Sequence, residues 1–414
     1  MLKNLFNMKV LKSYISGSRS IFVSRDPVYN LRFAMLCLSS LLFSSSYNML
    51  IPELPAYLSD LGGAGYKGLI ISLFTLTAGI SRPFSGRLTD TVGRIPVMIT
   101  GSVVCVACGL FYPLLGSVSG FLFLRLIHGF STGFTPTAKS AYVADIIPRE
   151  RWGEAMGLQG LCYSLGFALG PAAGSFIRMY YSFDILFYAS SFFALLSILV
   201  IVRMKETLRD KSDFSLSVLR ISRKDILAPE VLPAAVVTFL AYIAFGAILT
   251  LIPDWSTHLG IAAKGSFFIL YTISSLLVRI VAGKLSDKYG RPPVICAGLV
   301  FLAVSLMLIA ISASFSGLMT GAFVYGMAMG ILSPALNAWT IDMSNARQRG
   351  KAMATMYIAL EAGIGLGALF SGTYYSDMPG RIPVVMLVAS AIVFCALGYV
   401  GYVKYRKKGT RKAV

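Results

Sequence analysis

The chain has 414 residues, of which 56% are hydrophobic and only 13% charged. A soluble domain carries roughly 25% charged residues, so most of this surface faces something other than water, and a soluble enzyme or signalling domain is excluded. The formal charge of +19 is large enough for a nucleic-acid binder, but its concentration in two terminal segments and one connection excludes that class.

The chain opens with MLKNLFNMKVLKSYISGSRSIFVSRD, which is basic and has no acid before Asp26. That composition fits a cytoplasmic segment lying on anionic lipid. An organelle transit peptide is the alternative reading. Twelve apolar runs follow, near 31–51, 66–85, 95–116, 119–141, 154–177, 183–203, 231–252, 264–283, 293–313, 315–339, 350–373 and 382–403. Each is about 20 residues long, enough to cross a bilayer core as a helix. Barrel strands need only about 9–11 residues and alternate in polarity, whereas a helix satisfies its own backbone in lipid. The expected fold is an all-α membrane protein of twelve transmembrane helices. Its expected parts are a basic segment 1–30, a six-helix bundle 31–203, a linker 204–230, a second six-helix bundle 231–403 and a basic tail 404–414.

Lys3, Lys9 and Lys12 precede the first run, Arg203 to Lys224 crowd the linker, and Lys404, Arg406, Lys407 and Lys408 follow the last run. The alternate connections hold only Lys67, Arg178, Lys264 and Arg381. Basic residues accumulate on the cytoplasmic side. Both termini and the linker are therefore expected inside, in a bacterial inner (plasma) membrane. The six cysteines all lie within the runs. Cys105 and Cys108 have a CxxC spacing without a second ligand pair, so they read as small apolar filler rather than a metal site.

The stretch GRLTDTVGRIPVMITG at 86–101 is nearly repeated as GKLSDKYGRPPVICAG at 283–298. A shift of 197 residues aligns Arg82, Gly86, Leu88, Asp90, Gly93, Arg94, Pro96 and Val97 with Arg279, Gly283, Leu285, Asp287, Gly290, Arg291, Pro293 and Val294. The same shift pairs Asp145 with Asp342, Gly166 with Gly363 and Gly170 with Gly367. The chain is thus read as two six-helix pseudo-repeats of one membrane orientation, an arrangement that rocks around a site near the midplane. Each half needs one tight turn between its second and third helices, which glycine permits. Asp90 and Asp287 are unusual there, because acids do little for topology. Each is expected to accept from a facing helix start or to pair with an arginine, closing the cytoplasmic side.

These motifs resemble the major facilitator superfamily along nearly the whole chain. GRLTDTVGR looks like that family's loop signature, with Ile95 where a second basic residue is common. RLIHGFSTG, Arg125 to Gly133, resembles the signature of helix four. Gly157, Gly166, Gly170, Pro171 and Gly174 resemble the helix-five signature of drug/proton antiporters, with Ser175 replacing its last glycine. The resemblance implies the major facilitator fold, and it implies latches Arg94–Asp145 and Arg291–Asp342. From spacing alone, Gly166, Gly170 and Gly174 share one helix face and allow close approach of a second helix. That face is expected to form a gating seam between the halves, with Pro171 permitting a bend.

An ionisable group in hydrocarbon costs roughly 2.5–3.5 kcal/mol on insertion scales. Arg82, Arg279 and Asp254 are expected to snorkel from helix ends, and Lys139 to line the inner mouth or snorkel. Glu53 is expected at the outer end of helix one. Arg125, His128 and Glu361 lie deeper. Glu361 has no twin, since position 164 is serine, and Arg125 has none, since position 322 is alanine. Desolvation favours a neutral carboxyl and a nearby cation favours the charged form, so such a group can load and release a proton. Glu361 is the expected proton site, with Arg125 as a charge partner or substrate anchor and His128 as a possible relay. A packing role is the plainer reading of His128. Candidate cavity residues are Tyr47, Asn48, Tyr242, Phe245, Tyr325, Met329, Asn337 and Tyr357, a set suited to an amphipathic organic molecule.

The expected function is secondary active transport, with proton antiport exporting a small amphipathic solute. The expected partners are that solute, protons and membrane lipid; a monomer without cofactor or nucleic acid is expected. A flippase for lipid or lipid-linked sugar and a proton-coupled uptake symporter are the alternatives. No nucleophile set, metal cluster or phosphate-binding glycine loop supports an enzyme.

Overall fold

The structure, a computed structural model, describes residues 30–148, 151–208, 211–215, 219, 227–344 and 349–412. The basic N-terminal segment, much of the linker and the side chains of the tail lie outside the described residues, as does the side chain of Asp287. Among the described residues there are twelve long helices. They are α1 (Leu31–Asn48), α2 (Lys67–Thr91), α3 (Arg94–Phe111), α4 (Val118–Ile146), α5 (Trp152–Tyr180) and α6 (Phe183–Val202) in the first half. The second half holds α7 (Leu232–His258), α8 (Ser266–Tyr289), α9 (Arg291–Ala310), α10 (Phe315–Met343), α11 (Arg349–Tyr375) and α12 (Ile382–Lys412). Nine described helices are long and apolar enough to cross a membrane. The polar groups of α1 and α4 lower their hydropathy, and α8 is apolar over Ser266–Arg279.

Local chemistry sets the helix starts. Asn30, Ser117, Ser182 and Ser314 each accept a hydrogen bond from the backbone three residues on, relieving an unpaired N–H. Ser117 and Ser314 are equivalents in the repeat. Helix one ends at Asn48, short of the expected 51, because Pro52 and Pro55 interrupt the run; the short helix Leu54–Asp60 follows. In contrast, α2 and α8 continue past their apolar runs, to Thr91 and Tyr289. Arg82 and Arg279 are therefore inside their helices rather than at the ends, and the snorkelling expectation fails for both.

The packing also repeats. In the first half α1 packs on α5 and α6, α2 on α4, and α3 on α4 and α6. In the second, α7 packs on α11 and α12, α8 on α10, and α9 on α10 and α12. The halves meet along two equivalent seams, α2 against α11 and α5 against α8. The end of the bundle bearing the α2–α3 and α8–α9 turns is called the hinge end, and the opposite end the far end. Gly93 adopts φ 137° and Gly290 φ 84° in these turns, a region that side chains disfavour.

The helix-five glycines need a correction of place. A Cβ on Gly166 would meet the Leu41 carbonyl at 2.5 Å, one on Gly170 the Ser45 carbonyl at 2.8 Å, and one on Gly174 the Met49 carbonyl at 1.9 Å. All three close α5 on α1 within the first half, not between halves. Pro171 reaches the other half instead, through its carbonyl against Gly265.

Candidate functional site

A cavity of about 290 Å³ lies between the halves. It is near the lower end of small-molecule sites, roughly 300–1,000 Å³. On its wall Arg82 on α2 donates to Glu361 on α11, Nη2 to Oε1 at 2.6 Å. The pair joins the two halves, and the guanidinium lies 4.9 Å from the Tyr357 ring. Both side chains are largely shielded, at 16% and 10% exposure. Breaking one partner of such a pair leaves the other uncompensated.

The cavity gathers many of the candidate residues. Tyr47, Asn48, Arg125, Tyr242, Phe245, Met329, Tyr357 and Glu361 line it. The Tyr47 and Tyr163 hydroxyls bond to each other there. Arg125 is held by the Ile70 carbonyl at 2.9 Å and lies 4.5 Å from the Phe74 ring, so part of its charge is already satisfied within its own half. Tyr325 is fully buried and Asn337 half-buried, and neither lines the cavity. His128 is also off the cavity wall. Its two ring nitrogens stand 3.2 Å from Cys105 Sγ and 3.1 Å from the Tyr112 hydroxyl, in a fully buried pocket of the first half. Lys139 neither snorkels nor lines a mouth; it is buried, 5.2 Å from the Phe43 ring, with no hydrogen-bond partner among the described residues. The walls come from more helices than the expected one, four, seven, ten and eleven. Arg82 and Phe74 come from α2, Tyr163 and Phe167 from α5, and Tyr271 and Arg279 from α8.

At the hinge end Arg94 Nε bonds Asp145 at 2.9 Å and Arg291 Nε bonds Asp342 at 2.8 Å. Each pair lies inside one half, so neither spans the halves. Asp90 is a minor partner, 3.5 Å from Arg94 and 72% exposed. Apart from Arg82–Glu361, the cross-half ion pairs among the described residues lie at the far end. Lys67 donates to Asp254 at 2.7 Å and also to Asp377. Glu53 accepts from Ser175 at 2.9 Å and pairs with Lys264 at 3.4 Å. Ser175 in turn accepts from the Gly265 N–H at 3.1 Å. Lys67 and Glu53 are nearly inaccessible, and Asp254 is paired inside α7 rather than snorkelling.

A sequence profile described as Major Facilitator Superfamily matches residues 36–262 and 234–413, which between them span both halves. The chain belongs to that superfamily. It is a multi-pass membrane transporter of that superfamily, not an enzyme. It is 26% identical over 381 residues to a multi-drug resistance efflux pump PmrA homolog of Lactococcus lactis, covering 88% of this chain and 93% of that one. It is 28% identical over 313 residues to multidrug resistance protein 2 of Bacillus subtilis, covering 72% and 78%. A crystal structure of a D-xylose–proton symporter superimposes with a TM-score of 0.73 at 15% identity, covering 89% of this chain and 96% of that one. That likeness concerns the fold.

Within a superfamily transporter, the residue that sequence reasoning most clearly missed is Arg82. Its duplication as Arg279 was visible, but duplication alone reads as scaffold. Only the packing of α2 on α11 turns it toward Glu361. Glu206 was missed for a similar reason. Its carboxylate accepts from the backbone N–H groups of Arg94, Ile95, Thr207 and Leu208, between 2.8 and 3.1 Å. It thereby fastens the start of the linker to the first turn of α3.

Proposed function

We propose that this transporter exports an amphipathic organic solute in exchange for protons, with Glu361 as the proton site. The observation that carries the reading is the Arg82–Glu361 pair, which bridges the halves inside the cavity. A proton on Glu361 removes the charge that holds Arg82, so protonation loosens the contact between α2 and α11. Loading and conformation are then linked, as coupled transport requires. The efflux direction is supported by the names of the multidrug-efflux relatives, and the aromatic walls suit a greasy solute. With the basic hinge end taken as cytoplasmic, the far-end pairs close the outer side and the hinge-end pairs leave the inner side free to open. Arg94–Asp145 and Arg291–Asp342 then brace each half, while the Gly166, Gly170 and Gly174 seam keeps α1 and α5 moving together.

Co-transport of solute and proton is the second reading. It is favoured by the surplus of guanidinium groups in the cavity, because a proton on Glu361 frees Arg82 to bind an acidic solute in the same state. Vesicles containing the purified chain, with an imposed pH gradient and a candidate solute, separate the two by the direction of solute movement. Glu361→Gln keeps the size and removes the titration. It should bind solute with less dependence on pH and fail to accumulate it on the gradient. Undiminished accumulation by that variant would make Glu361 a packing residue.

A further inference from the structure

Arg82 and Arg279 are equivalents, 197 residues apart, and both line the cavity. They lie on the helices that form the two equivalent seams, α2 with α11 and α8 with α5. Across the first seam Arg82 meets the carboxylate of Glu361. The residue equivalent to Glu361 on α5 is Ser164, which also lines the cavity. Arg279 therefore occupies its twin's place without its twin's carboxylate, and its buried Nε has no hydrogen-bond partner among the described residues.

The charge of the cavity points the same way. Among the described residues three guanidinium groups line it, those of Arg82, Arg125 and Arg279, against the single carboxylate of Glu361. Glu361 is engaged by Arg82, and Arg125 is turned to the Ile70 carbonyl and the Phe74 ring. Arg279 is left as a cation in a poorly polarisable enclosure, where an opposite charge is strongly attracted. Beside it, Phe167, Phe245 and Tyr271 form one ring cluster, with centroids 5.6–6.4 Å apart.

We propose that the transported solute is an organic anion with an aromatic or similarly flat apolar body. Its carboxylate, sulfonate or phosphate oxygens bond to Arg279, filling the place that Glu361 fills beside Arg82, and its body lies against the ring cluster. Planar guanidinium donors match such oxyanions two at a time. The inference rests on the cavity being the solute site and holds for exchange and co-transport alike.

The test uses the full chain in lipid nanodiscs and two probes with one naphthalene body, one bearing a sulfonate and the other a trimethylammonium group. The wild type should bind the sulfonate roughly tenfold or more tightly than the ammonium, the scale of one charge-assisted hydrogen bond. Arg279→Gln should erase that preference by weakening the sulfonate alone. Ser164→Glu should erase it too, because the new carboxylate would pair with Arg279 as Glu361 pairs with Arg82. Arg279→Lys keeps the charge and should restore part of the sulfonate affinity, which a purely structural arginine would not allow. Equal or tighter binding of the ammonium by wild type overturns the anion inference. So does unchanged sulfonate affinity in the Gln and Glu variants, or a Lys variant as poor as the Gln variant. If the ammonium is preferred and Glu361→Gln blocks its transport, the anion inference alone falls. If neither probe binds, the cavity is not the solute site and the export reading falls with it.

Discussion

Asp90 and Asp145 both stand near Arg94, and geometry separates them. Asp145 takes Arg94 Nε at 2.9 Å and the Thr207 hydroxyl at 2.6 Å, whereas Asp90 is 3.5 Å away and mostly in solvent. An exposed ion pair contributes about 0–1 kcal/mol. A carboxylate that holds two donors at short distance sits at the upper end of that range, and one at 3.5 Å at the lower end. Asp145→Asn should therefore lower the unfolding temperature in detergent and reduce transport more than Asp90→Asn. Equal effects would mean that Asp90 acts in a conformation with a different hinge end. The duplicated aspartate is conspicuous in the sequence because its spacing is regular. Its weight is decided by distance and solvent, which spacing does not carry. Glu361 is the converse case. Its isolation in an apolar run was legible, but its partner, 279 positions away, was not.

Among elements, α5 shows what a small-residue face achieves. Lipid gives helices little reason to associate by burying apolar surface, so close backbone contact and hydrogen bonds hold them. Gly170→Leu should force α5 off α1 and destabilise by about 1–3 kcal/mol, with loss of transport. Leu169 is 53% exposed on the other side, so Leu169→Ala should stay within about 0.5 kcal/mol. Thermal scans of both variants check this; similar melting would place Gly170 in open space. The start of α3 shows a second device. Burial pushes the Glu206 carboxyl up, but the backbone donors of Leu208, Ile95, Arg94 and Thr207 outweigh it and hold the group below its ordinary 4.5. A group lowered on folding stabilises above its unfolded value, and that stability is lost as pH falls through the folded value. Glu206→Gln should therefore be less stable than wild type at neutral pH, and the gap should close as the medium is acidified below pH 4.5. A gap that persists or widens there would show that the carboxylate charge does not hold the linker.

For the whole molecule, the question is which end is shut. Besides Arg82–Glu361 in the cavity, the cross-half ion pairs among the described residues sit at the far end, where Lys67 serves both Asp254 and Asp377. Lys67→Gln removes the charge from both and leaves two carboxylates facing each other. The far end should then open more often. A single cysteine placed at Thr75, on the cavity wall, with the native cysteines replaced, should react severalfold faster with an impermeant thiol reagent applied from that side. An unchanged rate would mean that the backbone contact of Gly68 with Gly372 closes the end without help from charge.

The sequence by itself determined the helical membrane class, the internal repeat and the family, because these depend on apolar run length, on local turn chemistry and on identities at a constant shift. It also singled out Glu361, since an ionisable residue without a twin stands out against a duplicated scaffold. Tertiary structure alone decided that the glycine face of α5 binds α1, that Arg82 rather than Arg125 pairs with Glu361, and that Arg279 lines the cavity with its buried Nε unbonded among the described residues. Those facts depend on which helix faces meet across two seams. Side-chain period assigns residues to a face, but in a chain that is apolar on nearly every side it does not say which neighbour that face will find.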